Sequence, residues 1–167
     1  MELESKRLIK VWQNKRNVEK KPIRKFVKGL NARKNKNLDL LADDLHHRTF
    51  QKLDCLDCAN CCSSIPPIVT RSDVKRLSKA TGISERDFTR TYLVQDDDDD
   101  WVMKTTPCPF LQEDNKCAVY DSRPKACRKY PHTDAGQFRN NLSLHAKNAH
   151  YCPAVFHILQ DMMKRLG

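Results

Sequence analysis

The sequence predicts a small α+β domain that is mainly helical and is clamped together by cysteine side chains. Three observations lead to this: helical spacing of apolar residues near both ends, short extended runs between them, and eight cysteines in 167 residues. A chain of this length can bury a real core, so the fold need not depend wholly on cross-links.

The first 50 residues are predicted to form a basic helical arm, and residues 51–167 a cysteine-cluster metal-binding domain. Residues 1–50 hold 14 Lys and Arg against 6 Asp and Glu, whereas the remainder is nearly balanced. Leu8, Val11 and Trp12 fall at helical spacing. A polar linker is expected at residues 31–37, followed by a second helix with an apolar stripe running from Leu38 to Leu53.

The middle of the chain predicts two short helices. Ser72 is expected to cap the first, which Gly82 ends, and Ser84 with Asp87 is expected to open the second as a capping box. Short strands are expected around Cys108 to Tyr120, with a further one at residues 101–103. Near the end, Pro153 suits the first turn of a helix whose apolar face is formed by Val155, Ile158, Leu159, Met162 and Leu166.

Four of the cysteines crowd into eight residues and read C-x2-C-x2-C-C. They are Cys55, Cys58, Cys61 and Cys62. The other four follow singly, at Cys108, Cys117, Cys127 and Cys152. Thiolates at such spacing are natural ligands for a soft metal ion or an iron–sulfur cluster, so all eight are candidate metal ligands.

Cysteine chemistry depends on the compartment. The sequence shows no secretory signal and no apolar stretch of about 18 residues, and we therefore expect a cytoplasmic protein. Thiols stay reduced there, which favours metal or redox roles over disulfides. Cys61 and Cys62 are also poor disulfide partners, since adjacent Cα atoms lie about 3.8 Å apart and a disulfide needs about 4.4–6.8 Å.

Zinc and iron–sulfur are both compatible with the cysteines, and the spacing favours iron–sulfur. Structural zinc sites usually combine two close-spaced cysteine pairs, and only the first half of this chain is close-spaced. Residues 55–61 resemble the ferredoxin-type run of three thiolates, although the chain continues with Cys62 rather than with x3-C-P. Two four-ligand centres, or one centre with further cysteines, both remain open.

Several motifs follow one another in a characteristic order: the opening C-x2-C-x2-C-C run, residues 72–77 with 82–84, the segments CPFL at 108–111 and NKCAVY at 115–120, and the closing RPxxCRxYP at 123–131. Together they resemble the YkgJ-type cysteine-cluster family, a zinc- or iron-chelating domain. The resemblance implies metal chelation. It also leaves open an iron–sulfur-dependent enzyme, such as a protein-lysine methylase-like activity, although no glycine-rich nucleotide loop follows a strand.

Three residues of the closing motif are candidates for cofactor binding: Arg123, Arg128 and Tyr130. Arginines beside a thiolate centre would offset its negative charge and tune its potential. They could equally bind a substrate carboxylate or phosphate, or form an ion pair with Asp121.

Other partners are less well supported by the sequence. Residues 72–93 superficially resemble a helix-turn-helix, but Glu85 and Asp87 at the start of its second helix would repel phosphate, so nucleic-acid binding is not favoured. The basic arm is better explained as a solvated helix face. A protein partner remains open.

Overall fold

The computed structural model describes residues 2–32, 37–134 and 136–167. Within these ranges helices dominate and a single two-stranded sheet accompanies them, which confirms the mainly helical α+β prediction. The α-helices are α1 (Glu2–Lys15), α2 (Lys20–Ala32), α3 (Leu38–Phe50), α4 (Asn60–Ser64), α5 (Arg71–Thr81), α6 (Glu85–Tyr92), α7 (Lys125–Lys129), α8 (Leu142–Asn148) and α9 (Pro153–Leu166). Positions 33–36 of the predicted linker lie outside the described residues.

The chain divides into two compact units. Unit 1 contains residues 1–58 and 131–167, and unit 2 contains residues 59–130. The division into a basic arm of residues 1–50 and a metal-binding domain of residues 51–167 stays a prediction.

Unit 1 is a helical unit with α9 in its core. The helices α1, α2, α3 and α8 all pack against α9, and Pro153 stands in its first turn as expected. The predicted apolar face of α9 is buried from Val155 to Met162. On α3, Leu38 and Leu45 are buried as predicted from the leucine stripe.

Two hydrogen bonds fix α1 to other parts of unit 1. The indole Nε1 of Trp12 donates to the carbonyl of Ala149 at 3.0 Å, and Ser5 Oγ accepts from the backbone N–H of Asp54 at 3.0 Å. Trp12 and Ser5 are both buried. Helix α1 therefore anchors the segment before α9 and also the segment that leads into the cysteine motif.

The helix pair of unit 2 forms with one difference from the prediction. Thr70, not Ser72, caps α5: its hydroxyl accepts from the backbone N–H of Asp73, whose carboxylate accepts from the N–H of Thr70 in return. Gly82 ends α5 with φ of 73°, a left-handed conformation that glycine adopts without steric cost. Ser84 caps α6 as predicted.

The strands are fewer than the sequence suggested. Strand β1 (Leu93–Gln95) pairs antiparallel with β2 (Trp101–Met103), which is the strand predicted at residues 101–103. The expected strands around Cys108 to Tyr120 are reduced to one isolated bridge between Leu111 and Cys117. This segment turns too often to build a ladder, since its backbone N–H groups are used in tight turns.

His145 makes unit 1 sensitive to acid. Its side chain is fully buried and its ring stacks on Phe138 with centroids 4.3 Å apart. Burial lowers the pKa of His145 to about 4. An unfolded histidine titrates near 6.5, so as pH falls the unfolded chain takes up the proton first and stability is lost between about pH 6.5 and pH 4.

We expect His145→Phe to remove this loss, because phenylalanine keeps the stacked ring and carries no titrating group. Urea unfolding of wild type and variant from pH 7 to pH 4.5 should show an extra wild-type loss on the order of 2 kcal/mol. Parallel pH profiles for the two proteins would contradict this assignment.

Candidate metal centre

A backbone hydrogen bond joins α4 to the loop of unit 2 that carries Cys108. Cys62 lies in α4, and its carbonyl accepts a hydrogen bond from the backbone N–H of Cys108 at 2.8 Å. The two residues are far apart in sequence but adjacent in space. The last cysteine of the opening motif is therefore brought to the first of the later cysteines.

A tight loop then returns the chain from Cys108 to Cys117. The N–H of Leu111 donates to the carbonyl of Cys108 at 3.0 Å, and the N–H of Ala118 donates to the carbonyl of Phe110 at 2.8 Å. Cys108 and Cys117 are half-buried and pack against the core of unit 2, whose buried members are Val69, Val74, Leu77, Phe88, Leu93, Met103 and Phe110.

Asp73 holds the segment that carries Cys127. Its side chain is 0% exposed, and its Oδ1 accepts from the backbone N–H of Lys125 at 3.0 Å, at the start of α7. The same carboxylate pairs with Arg76, whose guanidinium also donates to the carbonyl of Arg123 at 3.3 Å. This role of Asp73 is not among the predictions from the sequence, although the pattern Thr70-x-x-Asp73 before an apolar helix is a capping signal.

Electrostatic interactions connect four of the five cysteines of unit 2. A hydrogen bond with Cys61, and then burial, raises the pKa of Cys62. Burial, followed by the charge of Cys62, raises the pKa of Cys108, of Cys117 and of Cys127, the last to about 12. Charges act appreciably over only about 10 Å in salt. We call Cys62, Cys108, Cys117 and Cys127 the four-cysteine group.

The positive charge of Arg123 influences two thiols of the four-cysteine group. Burial raises the pKa values of Cys117 and Cys127, and the Arg123 charge opposes the rise at both thiols. Its guanidinium lies over the Tyr120 ring, 3.7 Å from the centroid, and donates to the Tyr120 carbonyl at 3.1 Å. Arg128 is exposed on α7, and Tyr130 is half-buried just after it.

The remaining cysteines divide between the units. Cys61 is the neighbour of Cys62 in α4, while Cys55, Cys58 and Cys152 belong to unit 1. All eight are present as thiols. Within the described parts of the chain, no three His, Cys, Asp or Glu side chains are arranged, as they stand, to hold a metal ion. The eight predicted ligands thus remain a prediction.

Comparison with known proteins gives one decisive match. The family model CxxCxxCC, described as "Putative zinc- or iron-chelating domain", matches residues 54–153. The chain belongs to the CxxCxxCC family. No curated protein and no solved structure matches it significantly. Among the described helices, none combines the length and apolar character needed to span a bilayer.

The family description agrees with the donor chemistry of the four-cysteine group. Each thiol resists ionisation because it is half-buried and because its neighbours would also be negative. A soft cation reverses both effects, since it neutralises the sulfur charges and favours the thiolate form. Four sulfur ligands suit Zn²⁺ and an iron–sulfur cluster equally.

We expect the buried Asp73 to stabilise unit 2 through its charge. Burial alone would raise the pKa of Asp73, but hydrogen bonds from Thr70, Lys125 and Arg76 outweigh it and lower the pKa. The stabilisation is therefore complete above the unfolded value of about 3.9 and is lost as pH falls through the lower folded value.

Asp73→Asn should lower the free energy of unfolding by about 1.5–3 kcal/mol at neutral pH, because it removes a charged hydrogen-bond acceptor. The difference from wild type should hold from pH 7 to about pH 5 and shrink below about pH 4. The matched control is Asp87→Asn, whose exposed carboxylate pairs with Arg90 and accepts from the Ser84 hydroxyl, and which should cost less. Equal costs for the two variants would contradict the role of burial.

Proposed function

We propose that the four-cysteine group of unit 2 binds metal as four thiolates, in the form of an iron–sulfur centre. The observation that carries the proposal is the mutual electrostatic influence of four thiols within one unit. On binding, each thiol gives its proton to solvent and the sulfur atoms draw together around the positive charge.

Iron–sulfur is preferred to zinc because of the ligand spacing. The later ligands are separated by nine or more residues, whereas structural zinc sites usually use two close-spaced pairs. A reducing cytoplasmic compartment suits this chemistry, since it keeps the thiols available. The family match carries no reaction, and the proposal is confined to metal binding.

The test is anaerobic purification of the full chain, followed by analysis of iron, zinc and acid-labile sulfide and by visible absorption. We expect brown protein with iron and sulfide, and a clear loss of both in Cys117→Ala and in Cys127→Ala. The matched controls are Ala118→Ser and Ala126→Ser, which alter the neighbouring residues and should keep the wild-type content.

Two other results would change the proposal. Colourless protein with zinc that is lost in the same cysteine variants would keep four-thiolate binding and overturn the iron–sulfur assignment. Metal content that is the same in wild type and in both cysteine variants would contradict the four-cysteine group as the ligand set.

We also propose that Arg123 tunes the centre by its charge. Arg123→Gln should make the reduction potential more negative, because a nearby positive charge favours the reduced, more negative cluster. The matched variant is Arg128→Gln, which removes an equal charge from an exposed site on α7. Electrochemical titration of the three proteins should show the larger shift for Arg123→Gln. Equal or absent shifts would point to a structural role for Arg123.

A further inference from the structure

Helix α2 exposes a continuous band of positive charge. Its apolar residues Ile23, Val27 and Leu30 are buried and define the side that packs into unit 1. At about 100° per residue, the exposed cations of the helix cover one arc of about 140° next to that side and opposite it. They are Lys20, Lys21, Arg24, Lys25 and Lys28. We call these five residues the α2 basic face.

No carboxylate among the described residues forms an ion pair with the α2 basic face. Elsewhere in unit 1 exposed cations do find acidic partners, as Lys6 does with Glu2. Glu19 is next to the face in sequence, but its carboxylate accepts from Gln160 Nε2 of α9 at 3.2 Å. The fold therefore leaves the positive charge of the α2 basic face uncompensated.

The charge pattern of α2 also opposes the stability of the helix. Its first turn carries Lys20 and Lys21 and no acidic residue, although the N-terminal end of a helix favours negative charge. Lys21 and Lys25 are like charges spaced i,i+4, and such pairs destabilise a helix. The sequence alone favours a solvated face here. A solvated face gains nothing from this pattern, whereas a bound polyanion would offset both penalties.

The turn before α2 adds Arg16 to the same region. Helix α2 packs against both α8 and α9. Because Glu19 reaches α9 on one flank of α2, Lys20 and Arg24 lie on the other flank, towards α8. The Nη1 of Arg16 donates to the carbonyl of His150, just after α8, at 3.3 Å. Burial lowers the pKa of His150, and the charges of Arg16 and Lys20 lower it further, which agrees with this placement.

An apolar groove borders the α2 basic face. It lies between α2 and the end of α9 and has a volume of about 410 Å³. Its lining residues are Pro22, Lys25, Phe26, Gly29, Met163 and Gly167. Phe26 is half-buried there, and Lys25 belongs both to the groove and to the basic face. Cations beside an aromatic ring are typical of surfaces on which phosphates contact the charges and a base stacks on the ring.

We propose that the α2 basic face and this groove bind a single-stranded nucleic acid, with its phosphates on the exposed cations and one base against Phe26. A duplex would hide its bases from the groove. An anionic membrane surface is less favoured, because the apolar face of α2 is buried in unit 1 and cannot enter a bilayer. The inference is independent of metal binding by the cysteines.

The test is fluorescence anisotropy of a labelled oligouridylate of about twelve nucleotides with the full chain, in KCl from about 50 to about 200 mM. We expect the affinity to fall steeply as salt rises. The double variant Lys21→Gln with Lys25→Gln should bind about tenfold more weakly. It should also flatten the slope of log K against log salt by about 1.4, since each phosphate contact of a single strand contributes about 0.7.

The matched control is Lys75→Gln with Lys79→Gln, which removes two exposed lysines at the same spacing on α5. This control also lies in the segment that superficially resembles a helix-turn-helix. It should keep the wild-type affinity and salt slope. Equal weakening in the two double variants would show a general effect of net charge and would overturn the α2 basic face as the binding site.

Phe26→Leu separates base stacking from phosphate contacts, because it keeps an apolar side chain and removes the aromatic ring. It should weaken oligouridylate binding about fivefold, with the salt slope unchanged and with no effect on binding to a duplex of equal length. Phe26→Tyr should keep the wild-type affinity, and far-UV circular dichroism checks that both variants fold. Equal affinity of Phe26→Leu and wild type for oligouridylate would overturn the single-strand assignment.

Two further results would overturn the proposal as a whole. One is the absence of oligouridylate binding at about 50 mM KCl, where phosphate contacts are strongest. The other is sedimentation with vesicles of phosphatidylcholine and phosphatidylserine that is lost in the Lys21→Gln, Lys25→Gln variant, while oligouridylate does not bind. That result would assign the α2 basic face to a membrane surface. Neither result bears on the metal content of the protein.

Discussion

The free-energy cost of ionising several neighbouring thiols governs the chemistry of unit 2. Burial and neighbouring charge raise the pKa values of Cys108, Cys117 and Cys127 together, so these thiols stay protonated unless a cation joins them. Packing alone does not explain such a group, because partly exposed thiols contribute less than aliphatic side chains of similar volume. Repulsion between neighbouring thiolates keeps the thiols neutral. The attraction of each sulfur to a bound cation would outweigh that repulsion. Metal binding and proton release are therefore one event.

The support for this chemistry is polar as well as apolar. Helices α5 and α6 supply the core, but the loops that carry the cysteines are joined by almost no hydrogen bonds of the β-sheet type. Asp73 supplies the missing order, since one buried carboxylate caps α5, pairs with Arg76 and accepts from the start of α7. A carboxylate buried with several donors is rigid, because moving any donor leaves charge unsatisfied. The position of Cys127 thus depends on a residue fifty-four places earlier in the chain.

Local signals in the sequence predicted local structure well. Gly82, Ser84 and Pro153 each act through their own backbone or side chain, and each was correctly placed. The sequence predicts Ser72 as the cap of α5 because its hydroxyl lies near the start of the apolar pattern. In the structure Ser72 lies within the first turn of α5, and the hydroxyl of Thr70 accepts from the N–H of Asp73. Which cysteines lie close together could not be predicted from the sequence. It depends on long-range contacts such as the hydrogen bond between Cys62 and Cys108, which the spacing of cysteines along the chain does not reveal.

Charge balance gives Arg123 its place in this arrangement. Four thiolates around a metal centre of charge +2 would leave a net charge of about −2, which a half-buried site stabilises poorly without a compensating cation. Arg123 is held by stacking on Tyr120 and by a carbonyl, which are neutral partners, and among the described residues no carboxylate forms an ion pair with it. That charge already opposes the rise in pKa of Cys117 and Cys127 before any metal binds. The arginine therefore favours the thiolate form of Cys117 and Cys127, two of the proposed ligands, and its fixed position directs the effect to them.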